Sequence, residues 1–199
     1  MMSAGAQTAY QAVYQPDVQP GVELKGRIAW VGDGDTLGLR VNKDKVETVE
    51  TIRLSDIDAP ETYHAGPVSA LSCAQPKRTD RPGQPWAQTA KQTLQQIAPK
   101  NSEATAYCFD TDKYHRQVCH VVVKQQFLHR HMLAQGLAYT TANPAWVRDP
   151  RSLVLQQRAQ KQKLGVWSSM DAIHPDVWRK QCWCENVCPG GITTLSLTK

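Results

Sequence analysis

The sequence has no long hydrophobic run. Its aliphatic stretches reach about three residues, as at 121–123, whereas a membrane span needs about 20 apolar residues. A transmembrane helix is therefore excluded. The chain is also short, with 199 residues of which 41% are hydrophobic, so it can bury one core and carry a tail but has no room for a second full domain.

The N-terminal segment 1–22 lacks both lysine and arginine. A secretory signal peptide has a basic start and then roughly 7 to 15 apolar residues, and this segment has neither. We predict an unstructured lead-in over residues 1–22. The protein is then secreted or periplasmic, with its signal peptide removed before this numbering begins, or it is cytoplasmic.

Charge and cysteine content are both modest. The 23 basic residues exceed the 18 acidic ones by a net charge of +5, which gives a mild attraction to polyanions and does not identify nucleic acid as a partner. Six cysteines are too few for a chain held together mainly by disulfides. Their even number nevertheless permits bridges.

Alternating β-branched and polar residues predict five strands. Three of them, at 25–32, 36–41 and 48–57, surround an Asp-Gly pair and are typical of a meander. Two more, at 102–109 and 117–123, flank a polar, charged tip and predict a second hairpin. Between the two groups, prolines and glycines predict a long surface loop without regular structure.

Three segments have helical patterns. Residues 85–97 carry apolar positions at helical spacing after a proline, residues 128–135 end at Gly136, and residues 152–164 begin with serine and end at Gly165. No strand–helix–strand alternation is sustained, so a parallel sheet is disfavoured. We predict an α+β fold, a five-stranded Greek-key β-barrel with three α-helices.

Three polar clusters can carry chemistry. They are DGDT at 33–36, RLSDIDAPET at 53–62 and DKYHR at 112–116. Taken singly, each has a plain structural interpretation as a turn or a solvated hairpin tip. Their joint occurrence, in this order, is much more specific.

Together with QPWAQTAKQTL (84–94), AQGLA (134–138) and KLGVW (163–167), these clusters make the sequence resemble the thermonuclease family, also called staphylococcal nuclease-like. The match covers 25–167. The resemblance implies an OB-fold barrel with three helices and a Ca²⁺-dependent phosphodiesterase that acts on DNA and RNA. It predicts a nuclease-like domain over residues 23–170, followed by a cysteine-containing extension over 171–199.

The chemistry of phosphodiester cleavage agrees with these residues. Asp35 and Asp58 offer the hard oxygen ligands that Ca²⁺ prefers, and the resemblance places the backbone carbonyl of Ala59 beside them. Zn²⁺ would favour nitrogen or sulfur ligands. Glu61 is the candidate general base for the attacking water.

Two arginines are candidates for charge stabilisation. Arg53 and Arg116 can bind phosphate oxygens through bidentate hydrogen bonds and offset the charge of the transition state. By the same resemblance, Lys113 and Tyr114 contact the terminal phosphate or the sugar of the bound nucleotide. His115 stands where the family commonly has glycine.

Base stacking has no assigned residue. Tyr139 and Trp146 follow the GLA segment and are candidates to stack on a base, with packing inside the barrel or on a helix as the alternative.

Cys108 and Cys119 flank the tip of the second predicted hairpin. Facing strands bring such residues close enough for a disulfide, and buried free thiols are the alternative. Cys73 and the CWCENVC cysteines (182, 184 and 188) would then form two further bridges of unknown pairing. The CxCxxxC spacing departs from the usual zinc knuckle, so a metal site there is the weaker hypothesis.

The sequence predicts a monomeric nuclease that acts on DNA, RNA or both and does not bind membranes. The main alternative is a catalytically weak nucleic-acid-binding module of the same fold. The chain retains the acids and arginines that such a module would lose, which favours the enzyme. A third hypothesis, a cysteine-tailed metal or redox protein, rests on CWCENVC alone.

Overall fold

The computed structural model describes residues 19–68, 73–74, 79–170 and 172–189. Its strands are β1 (Val22–Val31), β2 (Thr36–Lys43), β3 (Val46–Leu54), β4 (Ile57–Asp58), β5 (His64–Ala65), β6 (Asp80–Arg81), β7 (Glu103–Thr111), β8 (Gln117–Val123), β9 (Gln126–Phe127) and β10 (Tyr139–Thr140). Its α-helices are α1 (Ala87–Ile97), α2 (Leu128–Ala134), α3 (Arg151–Lys161) and α4 (Pro175–Trp178). A π-helical segment (Arg179–Cys184) continues α4, and 3-10 turns lie at Pro144–Trp146 and Gly165–Ser168.

Five of these strands form a closed barrel. β1 pairs antiparallel with β2 and β7, β2 pairs with β3, and β7 pairs with β8. The barrel closes where β3 and β8 pair in parallel, with Arg53 opposite Val118. The predicted five-stranded Greek-key OB-fold of the α+β class is confirmed.

Alternation along the strands builds the core. In β2, Leu37, Leu39 and Val41 are buried, because side chains two residues apart share one face of a strand. Leu94 of α1 and Met132 of α2 belong to the same cluster and are fully buried. Burying each such side chain contributes about 1.5–3 kcal/mol relative to leaving it exposed.

The three predicted helices are confirmed with small changes at their ends. α1 begins at Ala87, two residues after the predicted start, because Trp86 takes a left-handed conformation with φ of 70°. α3 ends at Lys161, where a turn leads to Gly165.

The structure adds regular elements that the sequence analysis lacks. β5 and β6 pair within the predicted loop, with His64 opposite Arg81, so the absence of regular structure expected there is wrong at this point. α4 and its π-helical continuation were expected only as part of an extension. We call residues 172–189 the C-terminal cap.

The C-terminal cap has a small core of its own. Trp178, Cys182 and Trp183 pack against Val68 and Cys73 of the loop between β5 and β6. The indole N–H groups of both tryptophans donate to the carbonyl of Pro82, at 3.0 and 2.9 Å. The cap is therefore attached to the loop that follows Glu61.

All six cysteines form disulfides. Cys108 and Cys119 lie directly opposite each other in the β7–β8 ladder and are bonded, as predicted. The pairings that the sequence left open are Cys73–Cys184 and Cys182–Cys188. The alternatives of buried free thiols and of a zinc site at CWCENVC are therefore wrong.

The predicted domain limits stay predictions. Of the lead-in 1–22, residues 1–18 lie outside the described part of the chain, and Val22 already belongs to β1. Within the described residues, no helix has the length and apolar character needed to cross a membrane.

Replacing both Cys108 and Cys119 with alanine should lower the free energy of unfolding by about 3 kcal/mol, because the bridge closes a short loop in the unfolded chain. Urea denaturation followed by tryptophan fluorescence measures this change. An unchanged midpoint would show that the barrel gains nothing from the bridge.

Candidate active site

The site lies at one end of the barrel, where four segments distant in sequence meet. They are the β1–β2 loop, the segment from Arg53 to Glu61, the β7–β8 hairpin tip and the C-terminal cap. A cavity of about 660 Å³ lies between them. Its charged lining includes Asp33, Asp35, Arg53, Asp58, Glu61, Lys113, Arg116 and Arg179.

Asp35 is held by hydrogen bonds in the β1–β2 loop. Its carboxylate accepts from the backbone N–H of Ala59 and from the Thr36 hydroxyl, both at 3.0 Å. Burial alone would raise the pKa of Asp35, but Arg53 and the Ala59 N–H hold it below its ordinary value. Asp35 is therefore a buried, ionised carboxylate.

Gly34 allows this loop to approach the barrel closely. A β-carbon at Gly34 would lie 2.6 Å from the Ala59 β-carbon and 2.9 Å from that of Ala90. Any larger residue would push the loop away from α1 and move Asp35. Next to it, burial and the charge of Asp35 raise the pKa of Asp33 to about 7.

Arg53 joins the two predicted metal ligands. Its Nη2 lies 3.1 Å from Asp58 Oδ1 and 3.7 Å from Asp35 Oδ2. Its Nη1 donates to the carbonyls of Leu54 and Ile57. Arg53 thus holds Asp35 and Asp58 side by side and fixes the turn between β3 and β4.

Arg116 is fixed by the hairpin tip. Asp112 accepts from the backbone N–H of Arg116 at 2.9 Å and from its Nε at 2.8 Å. Arg116 Nη1 also donates to the Thr36 hydroxyl at 3.2 Å, which connects it to Asp35. His115 takes a left-handed conformation with φ of 62°, a conformation that glycine adopts readily.

Glu61 is fixed through its backbone. The Gln84 side chain accepts from the Glu61 N–H at 3.0 Å, and the Gln84 N–H donates to the Glu61 carbonyl at 2.7 Å. Burial, reinforced by the nearby Asp58, raises the pKa of Glu61 to about 8 against the opposing effect of Arg179.

Arg179 of the C-terminal cap also enters the cavity. It donates to both oxygens of Asp58, at 3.1 and 2.7 Å, and to Glu61 at 2.5 Å. The sequence analysis assigned no role to this residue, because it lies outside every recognised motif. The cysteines around it gave the only hint that this segment is anchored.

A second cavity, of about 370 Å³, adjoins the first. Tyr114, Val118, Trp146 and Arg148 line it, together with Arg53 and Arg116. Trp146 is 59% exposed, so its ring is accessible. Tyr139 is instead buried and packs on Trp167 and His174, which leaves Trp146 as the candidate for base stacking.

A buried network supports the turn that leads to Asp58. Asp56 accepts from His120 at 2.8 Å, from the Asp149 N–H at 2.7 Å and from the Ser152 hydroxyl at 3.0 Å. His129 in turn contacts Asp149 at 3.0 Å. Asp56 itself has a φ of 71°, so these contacts hold a turn that is unfavourable for an L-residue.

Asp56, His120 and His129 place metal-capable atoms within 4.8 Å of one another. The two imidazole rings stack, however, with centroids 4.1 Å apart and an angle of 17° between their planes. A metal ion lies in the plane of each imidazole that binds it, and two nearly parallel planes share no nearby point. The network is therefore better described as a hydrogen-bonded one than as the metal centre.

A closed five-stranded barrel with carboxylates and arginines at one end defines an OB-fold protein with a polar site on its loops. The family described as "Staphylococcal nuclease homologue" matches residues 51–169. This chain belongs to that family, as its motifs predicted. Metal dependence is general among the nucleases of this family.

Several relatives have the same kind of name. "Protein ParB" of Escherichia coli is 29% identical, with 91% of this chain and 92% of that protein aligned. An "Uncharacterized endonuclease" of Escherichia coli O157:H7 is 30% identical over 79% and 86% of the two chains. "Micrococcal nuclease" of Shigella flexneri is 24% identical over 79% and 82%.

The buried network should make the protein sensitive to acid. Burial and the neighbouring His120 lower the pKa of His129 from 6.5 to about 4. Between these values the unfolded chain binds a proton that the folded chain does not, so stability falls as the pH falls, by up to about 3 kcal/mol. Urea denaturation at several pH values between 7 and about 4 measures this loss.

The matched variant is His129→Gln, which keeps a polar side chain but cannot titrate. It should flatten the pH dependence between about 6.5 and 4. Asp56 and Asp149, whose pKa values their histidine partners hold below the ordinary range despite burial, should add a further loss only below about pH 4. An identical slope in the variant would contradict the role given to His129.

Proposed function

We propose that this protein is a Ca²⁺-dependent nuclease that hydrolyses phosphodiester bonds of DNA, RNA or both. One observation supports this most directly: three carboxylates, Asp35, Asp58 and Glu61, share one cavity with Arg53 and Arg116. The names of its relatives, among them a micrococcal nuclease and endonucleases, support the same reaction class.

The donor set suits a hard divalent cation. Asp35 and Asp58 are buried, and the same Arg53 nitrogen contacts both, so their oxygens lie close together. Oxygen ligands without nitrogen or sulfur favour Ca²⁺ or Mg²⁺ over Zn²⁺. In this proposal Asp35, Asp58 and the carbonyl of Ala59 bind Ca²⁺. When bound, such an ion supplies charge stabilisation at the phosphate and helps to orient the water.

Glu61 is the proposed general base. Its backbone is fixed by Gln84, and its side chain points toward Asp58 through their common partner Arg179. It can therefore accept a proton from a water placed between it and the phosphate.

Arg53 and Arg116 are the proposed ligands of the phosphate oxygens. Asp112 and Thr36 orient the Arg116 guanidinium in advance, which lowers the entropy cost of binding a phosphate. Lys113 and Tyr114 line the same cavity and would bind the terminal phosphate or the sugar. Exposed Trp146, in the adjoining cavity, would stack on a base.

The environment of action is also a proposal. Three disulfides are typical of an oxidising compartment, which favours a secreted or periplasmic protein over a cytoplasmic one. The monomeric state remains a prediction.

The experiment that tests the function is cleavage of single-stranded DNA, duplex DNA and RNA in Ca²⁺ or in EGTA. EGTA should abolish cleavage and excess Ca²⁺ should restore it. Glu61→Gln should lower kcat by about 10²- to 10⁴-fold while nucleic-acid affinity stays within a few-fold. Restoration by Mg²⁺ alone would reassign the ion, and full activity of Glu61→Gln would end the general-base proposal.

The matched control is Asp176→Asn. Asp176 also contacts Arg179, at 3.6 Å, but its side chain is 64% exposed. Losing this carboxylate should leave kcat near that of the unaltered protein. If the pure protein binds nucleic acid in Ca²⁺ without cleaving it, the alternative of a non-catalytic binding module is correct.

Arg53→Lys and Arg116→Lys should each lower kcat/KM by about a hundredfold or more, because lysine keeps the charge but loses the bidentate geometry. Arg158→Lys, on the exposed face of α3, is the control and should have no effect. Steady-state kinetics on one oligonucleotide measure all three. Mild effects at both site positions would mean that charge alone suffices.

A further inference from the structure

Arg179 takes up the free side of the two carboxylates that face the cavity. Its two terminal nitrogens bind the two oxygens of Asp58, at 3.1 and 2.7 Å, and one of them also reaches Glu61 at 2.5 Å. Arg53 already donates to one of the same Asp58 oxygens at 3.1 Å. Both oxygens of Asp58 are therefore engaged by guanidinium groups.

The charge in this cluster explains why a cation is held there. Asp35, Asp58 and Glu61 carry three negative charges when ionised, and Arg53 supplies one positive charge within 4 Å of two of them. Unbalanced buried carboxylates are costly, so a further cation is stabilising. Arg179 supplies one such charge, and a divalent ion bound to Asp58 would supply two.

These two cations exclude each other on Asp58. A divalent ion needs a free oxygen lone pair at that carboxylate, whereas Arg179 covers both oxygens with a bidentate pair. Like charges a few ångströms apart in a poorly solvated site also repel strongly. Binding of the ion therefore requires Arg179 to withdraw.

The C-terminal cap keeps Arg179 close to this site. The Cys73–Cys184 disulfide joins the cap to the loop that follows Glu61, and Gln84, which holds the Glu61 backbone, donates to the carbonyl of Ile173 at 3.1 Å. His174 also lies 2.9 Å from the Thr140 carbonyl. Such tethering gives Arg179 a high effective concentration at the carboxylates.

We propose that Arg179 is a built-in competitor of the divalent cation for Asp58 and Glu61, and that the disulfide-tethered cap sets the metal affinity of the site. This inference rests on the proposed function, because it takes the carboxylate cluster as the metal site. Arg179 is a positioning residue for the metal-binding carboxylates. Its coupling to the ion is reciprocal, so the ion weakens the hold of Arg179 as much as Arg179 weakens that of the ion.

The test measures Ca²⁺ binding by titration calorimetry in the absence of nucleic acid, so its readout is independent of cleavage. Arg179→Gln should bind Ca²⁺ about 5- to 150-fold more tightly than the unaltered protein, the usual range of such coupling. The matched control is Lys180→Gln, which removes the same charge from an exposed neighbouring position. It should change the affinity by less than about twofold.

A second set of variants tests the tether. Replacing Cys73 and Cys184 with serine should also tighten Ca²⁺ binding, because Arg179 loses effective concentration. The same replacement made together with Arg179→Gln should give no further gain. An equal gain with and without Arg179 would overturn the proposed route. If Arg179→Gln does not fold, Arg179→Lys, which loses the bidentate pair, should still tighten binding by a smaller factor.

The outcomes separate this inference from the function on which it rests. Tighter binding in Arg179→Gln alone supports both. Equal Ca²⁺ affinity in Arg179→Gln and the unaltered protein would overturn the competition and leave the metal site standing. Absence of Ca²⁺ binding in every variant would overturn the metal site and the competition together.

Discussion

β3 and β8 pair in parallel over only three residue pairs, and the site depends on this contact. The other pairings of the barrel strands are antiparallel and join strands through hairpins or a helical connection. Arg53 lies within the parallel pairing, and Arg116 directly precedes β8. Closing the barrel therefore brings together two arginines that are far apart in sequence. β4 follows β3 after a tight turn and carries Asp58 to the same end.

Electrostatics then governs the details of this end of the barrel. Carboxylates that share a cavity repel one another, and burial strengthens that repulsion. Arg53 relieves it between Asp35 and Asp58, and Arg179 relieves it between Asp58 and Glu61. The same need for a counter-ion accounts for the affinity of the cluster for a divalent cation and for the docking of the C-terminal cap. The cap is thus part of the electrostatic design of the site.

Much of the fold and of the candidate site could be predicted because the relevant signals are local. Strand alternation, helical spacing and glycine stops depend on neighbouring residues, and each motif keeps its acid or arginine at fixed spacing. The positioning residues were harder to find. Asp112 orients Arg116 within one turn, whereas Gln84 and Arg179 reach Glu61 through packing between segments distant in the chain. The loop between β5 and β6 became partly ordered because the cap covers it.

The sequence by itself determined the barrel strands, three helices, the candidate acids and arginines and the Cys108–Cys119 bridge, because all of these follow from periodicity, from short motifs or from a hairpin. Only the tertiary structure decided which partners the remaining cysteines take, where Trp146 and Tyr139 face, and that Arg179 contacts Asp58. Those outcomes depend on how the C-terminal cap packs on the loop that follows Glu61. No local pattern encodes that contact, since it is formed by side chains separated by about half the chain.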